Sequence, residues 1–310
     1  MKKIVSFILV MLAITPLAAL TASAADCNLT IGASLHPYYS WVKNIVGDTA
    51  TVTTLIPPGS DPHTYQPMPS DLEHLQGLDV LIINGLGHDG FVDPMLKATD
   101  HKDLKIINTG NGLPLIPSFT EHYAFEEGDN NKVSYNSHTY IAITGAIQQI
   151  QMIARELGKL CPAEATMYKK NARAYAHKLR KMLSAALVKI DGIDTNILRI
   201  ATVHDGYAYL FQELGIEVAA VVQPRHGIEP SARQLQDTIK RIKRANVNIL
   251  FTELDYTKKY VDIIFQETGC RIYSLSHVSK GEYSKDFFEK SMQKNLDDIV
   301  EALTETTAAK

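Results

Sequence analysis

The chain has 310 residues, of which 45% are hydrophobic and 21% are charged. This is the composition of an ordinary globular protein, and the length is enough for one large or two medium domains, so global disorder is excluded. The formal net charge of -3 provides no basic field for a phosphate backbone. Small solutes and proteins are therefore better candidate partners than nucleic acid.

The first 24 residues have the pattern of an export signal. Two lysines precede an almost wholly apolar run over residues 4–20, and the small residues 22–24 suit cleavage. A membrane anchor is the alternative, but the run is short for a spanning helix and is interrupted by Thr15 and Pro16. We predict a soluble periplasmic protein whose mature chain begins at Ala25.

Three cysteines follow this signal, at Cys27, Cys161 and Cys270. An oxidising compartment allows one disulfide with one thiol left over, and the sequence leaves the pairing open. Cys27 lies where a lipid-modified cysteine could occur, but the preceding Asp26 is not the small residue that lipoprotein processing usually requires. No Cys-x-x-Cys pair is present, which gives little support to a thiolate metal site or a redox centre.

The first half of the mature chain alternates strands with helices. Apolar runs over residues 29–35, 51–56 and 80–84 predict buried strands, whereas residues 38–46 and 70–76 place apolar residues at helical spacing. Strands separated by helices imply a parallel sheet that is covered on both faces.

The middle of the chain differs from this pattern. Residues 110–137 are rich in Gly, Pro, Asn and acidic residues and predict a long loop, which is followed by a helix over residues 140–160. Pro162 then makes helical continuation unfavourable. Residues 163–190 contain neither Gly nor Pro and predict a helix of roughly 40 Å. Its position between two similar halves favours a rigid connector over one more surface helix.

The second half repeats the alternation of strands and helices. We predict strands over residues 198–203, 217–222, 247–252 and 271–275, helices over 207–214, 231–245, 258–268 and 284–303, and a frayed tail over 304–310. The predicted fold is therefore α/β, with two parallel-sheet lobes, residues 25–162 and 193–310, joined by one long rigid helix over residues 163–192. We expect the ligand site in the cleft between the lobes.

Four of the 11 histidines lie next to predicted strand ends or helix starts: His63, His138, His204 and His277. Open α/β sheets place ligand sites beyond the carboxyl ends of their strands, and these histidines are divided equally between the two halves. Neutral imidazole is the commonest protein metal ligand, and three or four around one centre suit zinc. A histidine at a strand end can equally be a satisfied polar residue, so spacing alone leaves both interpretations open.

The segments around these histidines contain further motifs. Residues 57–67 are Pro-Pro-Gly-Ser-Asp-Pro-His-Thr-Tyr-Gln-Pro, residues 78–87 contain an apolar strand that reaches Asn-Gly, and residues 202–209 are Thr-Val-His-Asp-Gly-Tyr-Ala-Tyr. Together with Glu-Pro-Ser at residues 229–231, these motifs resemble the TroA/ZnuA-like family of zinc and manganese solute-binding proteins of ATP-binding cassette transporters. The resemblance covers nearly the whole mature chain.

The resemblance implies that His63, His138 and His204 bind metal. The family usually has a proline before its second histidine and Trp-Leu-Asp-Pro after it, whereas residues 136–142 here are Asn-Ser-His-Thr-Tyr-Ile-Ala. Its fourth ligand is often an aspartate, and the nearest equivalent here is His277. We therefore predict that these four histidines hold one metal ion per chain.

The predicted ligand set favours zinc over manganese, because the harder manganese ion is better served by more carboxylates. Three nearby acidic residues could orient the imidazoles: Asp61, Asp205 and Glu253. The remaining histidines near strand ends or loops are expected to be structural or surface residues: His36, His88 and His226.

The predicted function is the capture of a divalent metal ion, zinc before manganese, in the periplasm, and its delivery by a monomeric chain to the membrane permease of an ABC importer. A zinc hydrolase is the alternative from another class, but a His277 ligand would close the position that a catalytic water needs, and no His-Glu-x-x-His motif or nucleophile elbow is present. A surface adhesin that retains this fold is a third possibility, which the fold alone does not exclude.

Overall fold

The computed structural model describes residues 27–118, 135–222, 231–254 and 256–309. The predicted export signal, most of the predicted loop over residues 110–137 and His226 lie outside the described residues. Among the helices that are described, none has both the length and the apolar character needed to cross a membrane.

The first half contains a parallel sheet with the strand order β2-β1-β3-β4. Its elements are β1 (Thr30–Ala33), α1 (His36–Val46), β2 (Thr51–Thr54), α2 (Pro69–Gln76), β3 (Val80–Ile83), α3 (Val92–Ala98) and β4 (Lys105–Asn108). The chain passes from β1 to one side of the sheet and then returns to the other side for β3. Such a change of direction opens a crevice at the carboxyl ends of the strands.

The second half has the corresponding strand order, β6-β5-β7-β8, again with all strands parallel. Its elements are β5 (Ile200–Thr202), α6 (Ala208–Glu213), β6 (Val218–Val221), α7 (Ala232–Arg244), β7 (Ile249–Glu253), α8 (Lys258–Thr268), β8 (Arg271–Leu275) and α9 (Phe287–Ala308). The two sheets confirm the predicted α/β architecture of two parallel-sheet lobes. The lobe boundaries at residues 162 and 193 stay a prediction.

Two helices connect the sheets, α4 (Ile143–Leu160) and α5 (Ala165–Asp191). The long helix α5 packs against α4 and also against α1 and α9. One hydrophobic cluster runs through this region and includes Trp41 on α1, Leu179 on α5 and Phe288 on α9, which are all fully buried. Because α5 is packed against other helices over much of its length, it is a rigid part of the hydrophobic core and not a free linker.

A disulfide between Cys27 and Cys161 ties the segment before β1 to the end of α4. Cys270 is a buried free thiol. The sequence allowed any of the three pairings, and only the tertiary fold brings these two sulfurs together.

The structure corrects the prediction at the carboxyl end of the chain. The predicted frayed tail from Thr304 is wrong, because α9 continues to Ala308 and Thr306 is buried against the protein. Polar residues in this last turn gave no periodic apolar signal. The helix α3 and the strand β4 were also not predicted, since both are short and β4 has only one buried residue, Ile107.

Candidate metal centre

Four histidines that are distant in sequence meet between the two sheets. His63, His138, His204 and His277 each offer one ring nitrogen, and these four atoms all lie within 4.8 Å of one another. The Nε2 atom of His138 is 3.3 Å from Nε2 of His63 and 3.2 Å from Nε2 of His204. Nitrogens that hold a tetrahedral ion at 2.0–2.1 Å are about 3.3 Å apart, so these two distances match those around a single ion.

The sheet topology explains this convergence. His63 lies in the loop that follows β2, whereas His204 and His277 follow the carboxyl ends of β5 and β8. His138 comes immediately before the short 3-10 turn Thr139–Ile141, which leads into α4. Because the carboxyl ends of parallel strands meet at one edge of a sheet, each half presents its histidines at the same edge. The cluster therefore combines loops from both lobes.

The four side chains differ in exposure. His138, His204 and His277 are buried, with at most 7% of their surface accessible, whereas His63 is exposed. Three imidazoles thus form the floor of the site and the fourth lies at its mouth. An ion from solvent would meet His63 first.

The hydrogen bonds of His138 orient its ring so that the Nε2 atom can bind a metal. Its Nδ1 lies 2.9 Å from the Oδ1 atom of Asn136, an amide oxygen that accepts hydrogen bonds and cannot donate them. Nδ1 therefore carries the hydrogen, and Nε2 is left with a lone pair directed at the cluster. The amide of Asn136 also donates to the backbone oxygen of Asp205, at 2.8 Å, so this residue links the two lobes.

Burial keeps the His138 imidazole neutral. Desolvation, followed by the charges of the neighbouring histidines, holds its pKa well below the usual value. A metal ion binds the neutral ring. Metal binding at neutral pH therefore releases little or no proton from His138.

Two of the three acidic residues that were predicted to orient the imidazoles lie beside the predicted ligands. Asp205 places Oδ1 3.6 Å from Nδ1 of His204 and accepts a hydrogen bond from the hydroxyl of Ser118 at 3.0 Å. Asp61 accepts a hydrogen bond from the backbone N–H of His63 at 3.0 Å and so shapes the loop that carries this histidine. These contacts are consistent with the predicted orienting role of Asp205.

Sequence reasoning missed a glycine that makes room for the cluster. A Cβ atom on Gly206 would lie 2.9 Å from Nε2 of His277 and 2.9 Å from Cδ2 of His204. Both distances are shorter than ordinary packing allows. The space that four imidazoles occupy therefore depends on the absence of a side chain at position 206.

His88 was expected to be a structural or surface residue and not a primary ligand, and the structure places it beside the four histidines but outside the group that could hold an ion. The residue is only 2% exposed, and its ring centroid lies 4.2 Å from that of His63 and 4.7 Å from that of His138. Its position near a strand end was visible in the sequence, but only the tertiary structure shows that its ring packs against the cluster. His36, by contrast, stacks on Tyr283 and bonds the Gly281 carbonyl at 2.8 Å, as a structural residue does.

The chain resembles known proteins over most of its length. The family model of ZnuA, the zinc-uptake complex component A of the periplasm, matches residues 31–302. The iron ABC transporter substrate-binding lipoprotein MtsA of Streptococcus pyogenes is 26% identical over 291 residues, which cover 91% of each chain. The zinc-binding lipoprotein AdcA of Streptococcus pneumoniae is 25% identical over 99% of this chain and 61% of its own length.

A solved structure shows a higher identity. The substrate-binding protein FpvC of Pseudomonas aeruginosa, in complex with Ni2+, is 43% identical, with a TM-score of 0.81 and coverage of 90% of this chain and 98% of its own. A second FpvC structure contains Mn2+ and has the same identity and TM-score. These matches extend over both lobes of the chain. The matched family consists of transporter components and not of enzymes. The chain therefore belongs to the ZnuA/TroA family of periplasmic divalent-metal-binding proteins, the substrate-binding components of ABC importers.

Proposed function

We propose that this chain captures one zinc ion per molecule with His63, His138, His204 and His277 and delivers it to the permease of its importer. The observation that carries the proposal is the convergence of these four ring nitrogens, two from each half of the chain, within 4.8 Å. An ion bound by all four would join the lobes directly. The loaded and empty forms would then present different surfaces to the permease.

The chemistry of the donors supports zinc. The four-histidine group contains imidazole nitrogens and no carboxylate. Zinc accepts four nitrogen ligands in a tetrahedron, whereas manganese prefers carboxylate, carbonyl and water oxygens. Four protein ligands would also leave no open position for a water nucleophile, which suits carriage of the ion and not hydrolysis.

An iron, nickel or manganese carrier is the second candidate. It is favoured by the name of MtsA, which refers to iron, and by the FpvC structures, which contain Ni2+ and Mn2+. Imidazole also suits divalent iron and nickel. Because copper and nickel bind most nitrogen sites tightly, affinity in the test tube does not by itself identify the natural cargo.

The proposal is tested first by metal binding to the purified mature chain. The protein is stripped with a chelator, and zinc, manganese and, without oxygen, divalent iron are titrated in competition with an indicator of known affinity. We expect one tight zinc ion per chain and a loss of about 100-fold or more in affinity for each single alanine substitution of the four histidines. His101→Ala is the matched control, because His101 bonds the Leu78 carbonyl at 2.9 Å near the amino ends of β3 and β4, whereas the cluster lies beyond the carboxyl ends of the strands.

Absence of tight binding by the wild-type chain would overturn the proposal as a whole. A histidine whose alanine variant binds zinc as tightly as the wild type would be removed from the ligand set. The cargo is decided by the metal found in protein isolated from its own periplasm, where iron or manganese in place of zinc would support the second candidate. The same preparation tests the proposed cleavage before Ala25 by mass spectrometry and the proposed monomer by light scattering.

A further inference from the structure

The loop that carries His88 is fixed by its own lobe. Asp89 is buried, and its Oδ2 accepts hydrogen bonds of 2.6 Å from the backbone N–H of Asn84 and of 2.6 Å from the hydroxyl of Ser34. Gly85 and Gly87 adopt positive φ angles of 70° and 94°, which let the chain turn tightly between Asn84 and His88. The position of His88 is therefore set by the first sheet.

His88 touches three of the four predicted ligands. Besides its edge contacts with His63 and His138, its ring lies nearly parallel to that of His277, with a centroid distance of 5.5 Å and an interplanar angle of 25°. It does not belong to the group of four nitrogens that could hold an ion. Its Nε2 atom instead lies 2.8 Å from the hydroxyl of Tyr140.

Tyr140 extends this contact to the other lobe. Its side chain is fully buried, and its hydroxyl lies 3.4 Å from Nδ1 of His277. The hydroxyl of Ser279 lies 2.7 Å from the same Nδ1 atom. Nε2 of His277 is the nitrogen close to Gly206 and the cluster, so Nδ1 carries the one ring hydrogen. This hydrogen is donated mainly to the Ser279 hydroxyl of the same lobe, and the Tyr140 hydroxyl of the other lobe is a second, longer acceptor.

We propose that His88 is a positioning residue which, through the Tyr140 hydroxyl, fixes the imidazole of His277 in the orientation that a tetrahedral ion requires. This inference rests on the proposed function, because it assumes that His277 is a ligand. Hydrogen bonds to the second nitrogen of a ligating histidine fix the ring and raise its donor strength. Because Tyr140 belongs to the first lobe and His277 to the second, the orientation of the His277 ring also depends on the distance between the lobes.

Loss of this support should affect zinc more than manganese. Zinc gains its advantage from well-placed nitrogen ligands, whereas manganese depends less on imidazole. A loosely held His277 would therefore reduce the affinity for zinc and narrow the zinc-to-manganese affinity ratio, with the four histidines still present.

The test compares His88→Phe, His88→Gln and Tyr140→Phe by zinc and manganese titration of the full mature chain. The phenylalanine variants retain a ring and remove the hydrogen bond, so each should lower zinc affinity about 10-fold, within the range known for partners of metal ligands. The double variant should be little weaker than either single one. His88→Gln retains a group that bonds the tyrosine hydroxyl and should stay within about 3-fold of wild type, as a conservative rescue.

The decisive arm repeats His88→Phe in a His277→Ala background, where the substitution should have no further effect. An equal loss in both backgrounds would show that His88 acts through the fold and would overturn the inference, as would unchanged affinity in His88→Phe. His101→Phe is the control for loss of a half-buried histidine elsewhere in the same lobe. If circular dichroism shows that His88→Phe does not fold, the same comparison is made with Tyr140→Phe in the wild-type and His277→Ala backgrounds, and its outcome decides whether the inference holds.

These outcomes separate the two proposals. Failure of the wild-type chain to bind metal, or of His277→Ala to weaken binding, contradicts the proposed ligand set. Tight wild-type binding that depends on His277 but not on His88 or Tyr140 contradicts only the positioning role.

Discussion

The Nε2 atoms of His138 and His204 lie 3.2 Å apart, although the two residues come from different halves of the chain and are 66 positions apart in sequence. An ion bound by both would cross-link the lobes. A ligand that binds only the folded state stabilises it by about 4 kcal/mol when present at a thousand times its dissociation constant.

Metal removal should therefore lower the melting temperature. For a chain of this size we expect a difference of about 10 °C between the zinc-saturated and chelator-treated protein. Differential scanning calorimetry measures it, with His204→Ala as the control in which zinc should change the melting temperature by little. A metal-independent melting temperature in the wild type would contradict an ion that joins the lobes.

Gly206→Ala should impair the site through crowding. The added Cβ would lie 2.9 Å from Nε2 of His277, so a ring must move away from the ion position. We expect a loss of about 10-fold or more in zinc affinity, by the same titration, since ligand geometry is tightly constrained. Gly77→Ala is the matched control, because its Cβ would meet its nearest neighbour, the His74 carbonyl oxygen, at an ordinary 3.5 Å. Equal affinities in the two variants would refute the crowding argument.

His36 should make stability depend on pH. Burial is the main reason that its pKa is lowered from 6.5 to about 4. Because the folded-state pKa is the lower one, the unfolded chain binds the proton more readily, and this contribution is complete above pH 6.5 and is lost as the pH falls towards 4. At pH 5 the expected loss is about 2 kcal/mol.

Urea unfolding of the metal-free protein at pH 7.5 and pH 5 measures this effect. In His36→Gln, which retains a donor for the Gly281 carbonyl, the loss of stability between the two pH values should be smaller by about 2 kcal/mol. All other residues are the same in both proteins, so the comparison isolates His36. Identical pH dependence in the two proteins would rule out a neutral buried His36.

Glu213 should stabilise the contact between α6 and α4. Its carboxylate accepts hydrogen bonds from the backbone N–H groups of Ile143 and Thr144, at 2.8 and 2.6 Å, and so caps the start of α4. Glu213→Ala would remove the acceptor of both N–H groups and leave that of the buried Ile143 unsatisfied, which should cost about 2 kcal/mol in the free energy of unfolding. Glu213→Gln, which keeps one acceptor oxygen, should cost less. Denaturant unfolding at neutral pH measures both, and an equal cost would mean that packing and not capping matters.

Much of the fold could be predicted because its signals are local. The strand Arg271–Leu275 and the helix Lys258–Thr268 have the predicted bounds, since apolar spacing and a glycine at the helix end act over a few residues. The helix α5 differs from its prediction by only a residue or two at each end. The last turn of α9 could not be predicted, because contacts with the rest of the molecule stabilise its polar residues.

The sequence by itself determined the family, the two-lobed α/β fold and four candidate ligands, because strand-end motifs such as Asp-Pro-His at residues 61–63 are contiguous in the chain. Only the tertiary structure decided that Cys27 pairs with Cys161, that His88 packs against the cluster and that Gly206 provides its space. Each of these depends on the distance between side chains from remote segments. That distance is set by how helices from both halves of the chain pack against α5, which no local pattern contains.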